Sequence, residues 1–212
     1  MQRRMLLSGL AGLACGSIQT RALAAVPGSS VSTFASDWGA PSRPRRGSPA
    51  PLPAGYAVMG QRHGIPPMVL YGVALQESAK LFGPYALPWP WTLNVRGTPM
   101  RYPSYPASVA ALRGFIAAGV RNVDAGLMQV NWGYHHDKLI EPARALDPYP
   151  NIAVGAQILR THFADTRNWY TAVGRYHSPG DAARAANYSA LVYRRIAQVP
   201  TTAAAPTGGG RG

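Results

Sequence analysis

The chain has 212 residues, 47% of them hydrophobic, and carries 21 Lys and Arg against 8 Asp and Glu, a formal net charge of +13. That length holds one core-bearing domain of ordinary size plus tails, and the basic excess favours polyanionic partners. A single cysteine, Cys15, excludes a disulfide framework.

The first residues, MQRRMLLSGLAGLACGSIQTRALAA, combine a basic start with an apolar stretch from Met5 to about Cys15 and an Ala-x-Ala at Ala22-Leu23-Ala24. This layout predicts an export signal over 1–24 that is cleaved, with a periplasmic destination. The apolar stretch is shorter than the about 20 residues a membrane span needs, so no transmembrane segment is expected in the mature protein. Arg3-Arg4 also fits a twin-arginine signal. Lipidation at Cys15 fits less well, because Gly12 stands where the lipoprotein box usually has Leu. Removing Arg3, Arg4 and Arg21 takes 21 basic residues to 18 against 8 acidic ones, a net of +10.

Residues 25–53 are rich in Pro, Ser and Gly, with a basic knot at Arg43, Arg45 and Arg46. They lack the periodic apolar positions that drive ordering, and the expectation is a flexible linker. The tail, 200–212, reads the same way, which leaves 54–199 as the folded domain.

Within that domain Pro67 suits a first helical turn, and Leu70, Val73, Ala74, Glu77 and Leu81 form a helical stripe. Trp91 to Val95, followed by Arg96-Gly97, predicts a small hairpin. A helix is expected over 107–118, stopped by Gly119. Asn151 suits the cap of a helix carrying Ile152, Ala156, Leu159 and Phe163. Trp169, Ala172, Val173 and Tyr176 mark a shorter helix closed by Ser178-Pro179-Gly180. Tyr188, Leu191, Val192, Ile196 and Val199 mark the last one. The fold class is mainly α, a helical domain with a small β-hairpin.

Glu77 is one of only two glutamates, the other being Glu141. On an apolar stripe a carboxylate is costly to bury unless paired. It is therefore an ion-pair partner, a stripe-edge residue that reaches water, or a cleft residue kept protonated as a proton donor. Other chemistries find no motif. There is no HExxH or Cys/His metal spacing, and the adjacent His135 and His136 diverge on any regular element. No GxSxG elbow or phosphate loop is present. No cofactor and no metal are expected, and the arginines are spread over the domain instead of forming a nucleic-acid motif.

Four segments in order complete the pattern: ALQESA around Glu77, AGLMQV at 125–130, NIAVGAQIL at 151–159 and AVGRYHSPG at 172–180. Together they resemble the soluble lytic transglycosylases, which have a lysozyme-like, goose-type fold and cleave peptidoglycan. The resemblance implies Glu77 as the catalytic acid, Ser78 supporting it, Gly126, Leu127, Met128 and Gln129 lining the cleft, and Tyr176 holding acid or sugar. Trp91, with Trp89 and Tyr102, would offer flat faces to sugar rings, or fill a small satellite core. It implies peptidoglycan glycan strands as the partner and a 1,6-anhydro product formed with one carboxyl group.

Gly126 follows Glu77 by 49 positions, more than the family's usual spacing, which implies an insertion. That insertion is most similar to specialised transglycosylases of conjugative and type IV-like secretion machines. His177 stands where most relatives carry Asn, and Asn131 where many carry a Met-Pro pair. Two alternatives remain: a lysozyme-type hydrolase with Asp124 as second carboxylate, or a non-cleaving peptidoglycan-binding scaffold. Asp124 otherwise reads as a loop or capping residue.

Overall fold

The computed structural model describes residues 46–200. The expected leader, most of the expected linker and the tail beyond Pro200 lie outside these residues. In chain order the elements are β1 (Ser48–Pro49), α1 (Ala54–His63), α2 (Pro67–Ser78), β2 (Ala79–Phe82), β3 (Tyr85–Pro88), β4 (Thr92–Val95) and β5 (Thr98–Arg101). There follow α3 (Tyr105–Ala117), β6 (Val123–Ala125), β7 (Val130–Asn131), α4 (Trp132–Leu139), α5 (Pro142–Leu146), α6 (Pro148–Thr166), α7 (Trp169–His177) and α8 (Ala182–Ala197). The domain is mainly helical with two small sheets, ordered β1-β3-β2 and β5-β4-β6-β7, an α+β arrangement consistent with the lysozyme-like class.

Helix α2 is the central element. Pro67 occupies its first turn, where the missing N–H has no partner to lose. Val69 to Leu75 are all buried, so this helix is apolar all round and packs on every side. Its neighbours include α1, α7, α8 and β3. The N-termini of three helices are closed by cap side chains. Ser104 accepts from the Ala107 N–H (3.4 Å) at α3, Asn168 from Thr171 N–H (3.1 Å) at α7 and Asp181 from Arg184 N–H (3.0 Å) at α8. Helices α7 and α8 approach closely at Gly174, where a Cβ would sit 2.6 Å from the Ala185 carbonyl oxygen. A side chain there would push apart the two helices that meet at the cleft.

The expected hairpin is present. Strands β4 and β5 pair antiparallel, Thr92 opposite Arg101 and Val95 opposite Thr98, with Arg96 at φ 52° and Gly97 at φ 94° in the turn. Three expectations are corrected. First, α2 ends at Ser78, and Leu81, placed on its stripe by spacing, is 51% exposed in β2. Strands β2 and β3 form a second hairpin, Ala79 opposite Pro88, around the Gly83-Pro84 turn. Second, the segment expected to be linker up to Pro53 is structured at its end. Ser48 and Pro49 pair parallel with Tyr85 and Ala86, and the Ala50 carbonyl accepts from the buried Tyr71 hydroxyl at 2.9 Å. The backbone carbonyls of an apolar-poor segment satisfy the donors of a buried face, a contact that hydrophobic periodicity does not register. Third, the cap of α6 is Asp147, whose carboxylate accepts from Tyr149 N–H at 3.1 Å. Asn151 lies inside the first turns of that helix and is fully buried.

Candidate active site

Glu77 is the penultimate residue of α2. That end of the helix carries its terminal carbonyls, a setting unfavourable to negative charge. The side chain is 18% exposed and lines a cavity of about 280 Å³ together with Gln76, His177, Arg184, Asn187, Tyr188 and Leu191. One wall is thus α2 and the other the end of α7 with one face of α8.

The hydroxyl of Tyr188 donates to Glu77 Oε1 at 2.5 Å across 111 residues of sequence. Burial, then the charge of Glu77 and this hydrogen bond, and then the neighbouring Tyr176 hold the Tyr188 hydroxyl well above its ordinary range, against the opposing pull of Arg195. Tyr188 therefore remains a donor to the acid at any ordinary pH. Behind it Arg195 Nε donates to Gln76 Oε1 at 2.7 Å, tying α8 to α2 a second time. The His177 ring lies parallel to that of Tyr188, centroids 4.5 Å apart with 4° between planes, and its Nδ1 is 4.0 Å from Glu77 Oε1.

The Gly126-Leu127-Met128-Gln129 turn stands behind this cavity and is fastened from several directions. Ser78 Oγ lies 2.9 Å from the Leu127 carbonyl oxygen and 3.0 Å from that of Ala74, and donates to them. The Tyr176 hydroxyl donates to the Met128 carbonyl at 2.7 Å. Burial, then Glu77, then Asp124 hold that hydroxyl far above its usual range, so it too stays protonated. Gln129 adopts φ 46° and folds its amide back, Nε2 donating to the Gly126 carbonyl (2.8 Å) and the Thr92 carbonyl (3.1 Å).

Beneath the turn, Asn151 Oδ1 accepts from Met128 N–H at 2.8 Å, while its Nδ2 donates to the Ala125 and Ala145 carbonyls, each at 2.9 Å. Gly126 sits at φ 78°, and a Cβ on it would come within 2.5 Å of the Asn151 carboxamide. Glycine is required there both by conformation and by space.

These contacts redistribute the expected roles. Ser78 and Tyr176 donate to carbonyls of the turn, and another hydroxyl donates to the carboxyl group of Glu77. The residue whose hydroxyl holds that group is Tyr188, which sequence reasoning took for a core position of the last helix. Asp124 is a strand residue in β6, 8% exposed, and its Oδ1 accepts from Asn131 Nδ2 at 2.7 Å. The loop or cap expected for it gives way because Asn94 and Asn131 pair with it in register across the sheet. Trp91 is half-buried and meets Trp89 edge-on, ring centroids 4.7 Å apart. Trp89 Nε1 donates to the Tyr102 carbonyl at 2.9 Å, and Lys80 Nζ sits 4.0 Å from the Trp89 ring. The aromatics of the insertion form one cluster, joined to the acid's segment by a hydrogen bond from Trp89 N–H to the Ser78 carbonyl at 3.0 Å.

Among the described residues no group of three or more His, Cys, Asp or Glu side chains could hold a metal ion. Among the same residues no helix is long and apolar enough to cross a membrane.

No curated protein and no solved structure matches the chain. The sequence model of one family, the Transglycosylase SLT domain, matches residues 57–190, from within α1 to within α8. This span includes every cavity residue except Leu191, the fastened turn and Asn151, and by it the chain belongs to the transglycosylase SLT family, the peptidoglycan lytic transglycosylases.

Proposed function

We propose that the protein cleaves the β-1,4 bond between MurNAc and GlcNAc and closes the MurNAc product to its 1,6-anhydro form, with Glu77 acting first as acid and then as base. The protonated carboxyl gives its proton to the glycosidic oxygen as the C1–O bond breaks. The resulting carboxylate then removes the proton from the C6 hydroxyl as O6 bonds to C1. Water is not consumed, and Glu77 ends the cycle as it began.

The observation that carries this reading is the cavity lining: Glu77 is the carboxyl residue among its seven members, oriented by the Tyr188 hydroxyl at 2.5 Å. A hydrolase needs a second carboxylate in contact with an attacking water or the sugar. Asp124, at 8% exposure and bonded to Asn131, is poorly placed for that task. In this reading Ser78, Gly126, Leu127, Met128, Gln129 and Tyr176 form the rigid back of the site, and Trp91 with Trp89 offers a flat face to a more distant sugar.

The test is the identity of the products. Peptidoglycan sacculi digested with the purified protein should release muropeptides with anhydro ends, one water lighter than reducing ends by mass spectrometry. Reducing ends would replace the reading with a hydrolase and make Asp124 the next residue to mutate. Binding without products would favour the scaffold.

Removing the Tyr188 hydroxyl should matter to the same reaction. Tyr188→Phe is expected to lower kcat roughly 10- to 100-fold with little change in KM, because the acid loses its orienting donor but not the sugar contacts. Initial rates on purified glycan strands check this, and an unchanged kcat would mean the carboxyl needs no such support.

The reading extends to location. The leader expected over 1–24 would deliver the enzyme to the periplasm. The two hairpins between Glu77 and Gly126 fit the resemblance to transglycosylases that open the wall locally for a conjugation or secretion apparatus.

A further inference from the structure

His177 is the cavity residue at which this chain departs from the asparagine that the resemblance leads one to expect. It is the last residue of α7, beside that helix's terminal carbonyls, and its side chain is 41% exposed. Its ring covers the Tyr188 ring face to face, and its Nδ1 approaches the same Glu77 oxygen that accepts the Tyr188 hydroxyl. Imidazole, phenol and carboxyl therefore form one compact group in which the phenol keeps its proton while the imidazole and the carboxyl can each change charge.

The surrounding charges divide. Glu77 on α2, the terminal carbonyls of α7 and the face of the Tyr188 ring favour an imidazolium. Arg184 on α8, which lines the same cavity and pairs with Asp181 at 3.1 Å, opposes it, while Arg175 on His177's own helix acts on His162. Arg195 acts on Tyr188, and Asp124 on β6 acts on Tyr176. Arg184 shares the cavity with Glu77 and His177 as well as pairing with Asp181, so carboxyl, imidazole and guanidinium meet there.

We propose that His177 is a positioning residue whose charge is coupled to that of Glu77, so that it sets the upper pH limit of the reaction; this rests on the reading of Glu77 as the acid. His177 keeps its own proton throughout the cycle. As an imidazolium it stabilises the carboxylate left when the glycosidic oxygen is protonated, a task an asparagine cannot perform. The same charge makes Glu77 release its proton at lower pH in the free enzyme. Removing the imidazolium therefore moves the alkaline limb of kcat/KM upward.

Two measurements on the full chain test this. The first is an NMR titration of histidine-labelled protein, with the His177 signal identified by its loss in His177→Asn. Its midpoint should be higher in the wild type than in Glu77→Gln by roughly half a unit to one unit, the lower end of what an opposite charge at this distance produces, given the exposure of the ring. An identical midpoint in the two proteins overturns the proposal.

The second is the pH profile of His177→Asn and His177→Phe, the latter keeping a ring on Tyr188 without a charge. Both should raise the alkaline limb by about half a unit. A rise in the asparagine variant alone would assign the effect to ring packing and overturn the coupling. The NMR titration needs no turnover, so a midpoint difference in a protein that releases no glycan products upholds the coupling while removing Glu77 from the role of acid.

Discussion

Glu77→Gln is expected to fold as the wild type does and to lose roughly 10³-fold or more in turnover on sacculi, the scale on which a single general acid contributes. The amide has the same shape, and its oxygen can accept the Tyr188 hydroxyl that now reaches Glu77 Oε1 at 2.5 Å. The melting temperature should accordingly stay within a few degrees. What the amide cannot do is deliver a proton to the leaving oxygen and take another from the C6 hydroxyl. Because the proposed mechanism asks both steps of one group, no partial reaction survives, and neither added acid nor base restores a stage of it. A folded variant with near-normal release of muropeptides would dispose of the mechanism.

The second large effect concerns stability. Asn151→Leu should cost about 3–5 kcal/mol of unfolding free energy, since a leucine of similar volume leaves one buried donor and two buried acceptors without partners, each worth about 1–3 kcal/mol. Those groups are the Met128 N–H and the Ala125 and Ala145 carbonyls, now served at 2.8, 2.9 and 2.9 Å by a side chain with no exposure. For a domain of this size each kcal/mol lowers Tm by about 2–4 °C, so urea and thermal unfolding should agree on a fall of order 10 °C. Asn151→Asp, which retains the acceptor for Met128 N–H but turns a buried carboxyl oxygen toward the Ala125 and Ala145 carbonyls, should cost at least as much, and more once the pH passes the unfolded carboxyl's pKa. A loss below about 1 kcal/mol for Asn151→Leu would mean that solvent reaches the turn and replaces the missing contacts.

Much of the architecture was legible in local pattern. Periodicity located α2, α3 and the last three helices, and the Arg96-Gly97 pair located the β4–β5 hairpin, because each depends on neighbours within a few positions. The unusual placement of Glu77 was equally visible, as a carboxylate among Leu70, Val73 and Ala74. Tyr188 was not, since an aromatic on a helical stripe looks the same whether it fills a core or donates to an acid 111 positions away. Asn151 misled for a related reason. Asparagine near a helix start is locally a cap, and only the arrival of the 126–129 turn over it gives its carboxamide three other partners. The β2–β3 hairpin was hidden by Leu81, which falls at helical spacing from Glu77 although the helix has already ended at Ser78. For Tyr188 and Asn151 the deciding contact joins distant parts of the chain, and sequence spacing carries no record of it; the hairpin is local, Ala79 to Pro88, and was masked by a coincidence of period.

The fastening of the 126–129 turn also has a mechanical meaning. One short loop is bonded to α2 through Ser78, to α6 through Asn151 and to α7 through Tyr176. Three helices that could otherwise slide independently are thereby locked to a common anvil, and any shear between them must break a buried hydrogen bond. A polymer drawn through such a groove meets a floor that does not yield. The same floor reaches into the insertion, because the Thr92 carbonyl of β4 accepts from Gly126 N–H and from the Gln129 amide, whereas the tie between the two hairpins, from Arg101 to the Ala79 carbonyl, faces solvent and can be exchanged for water at little cost.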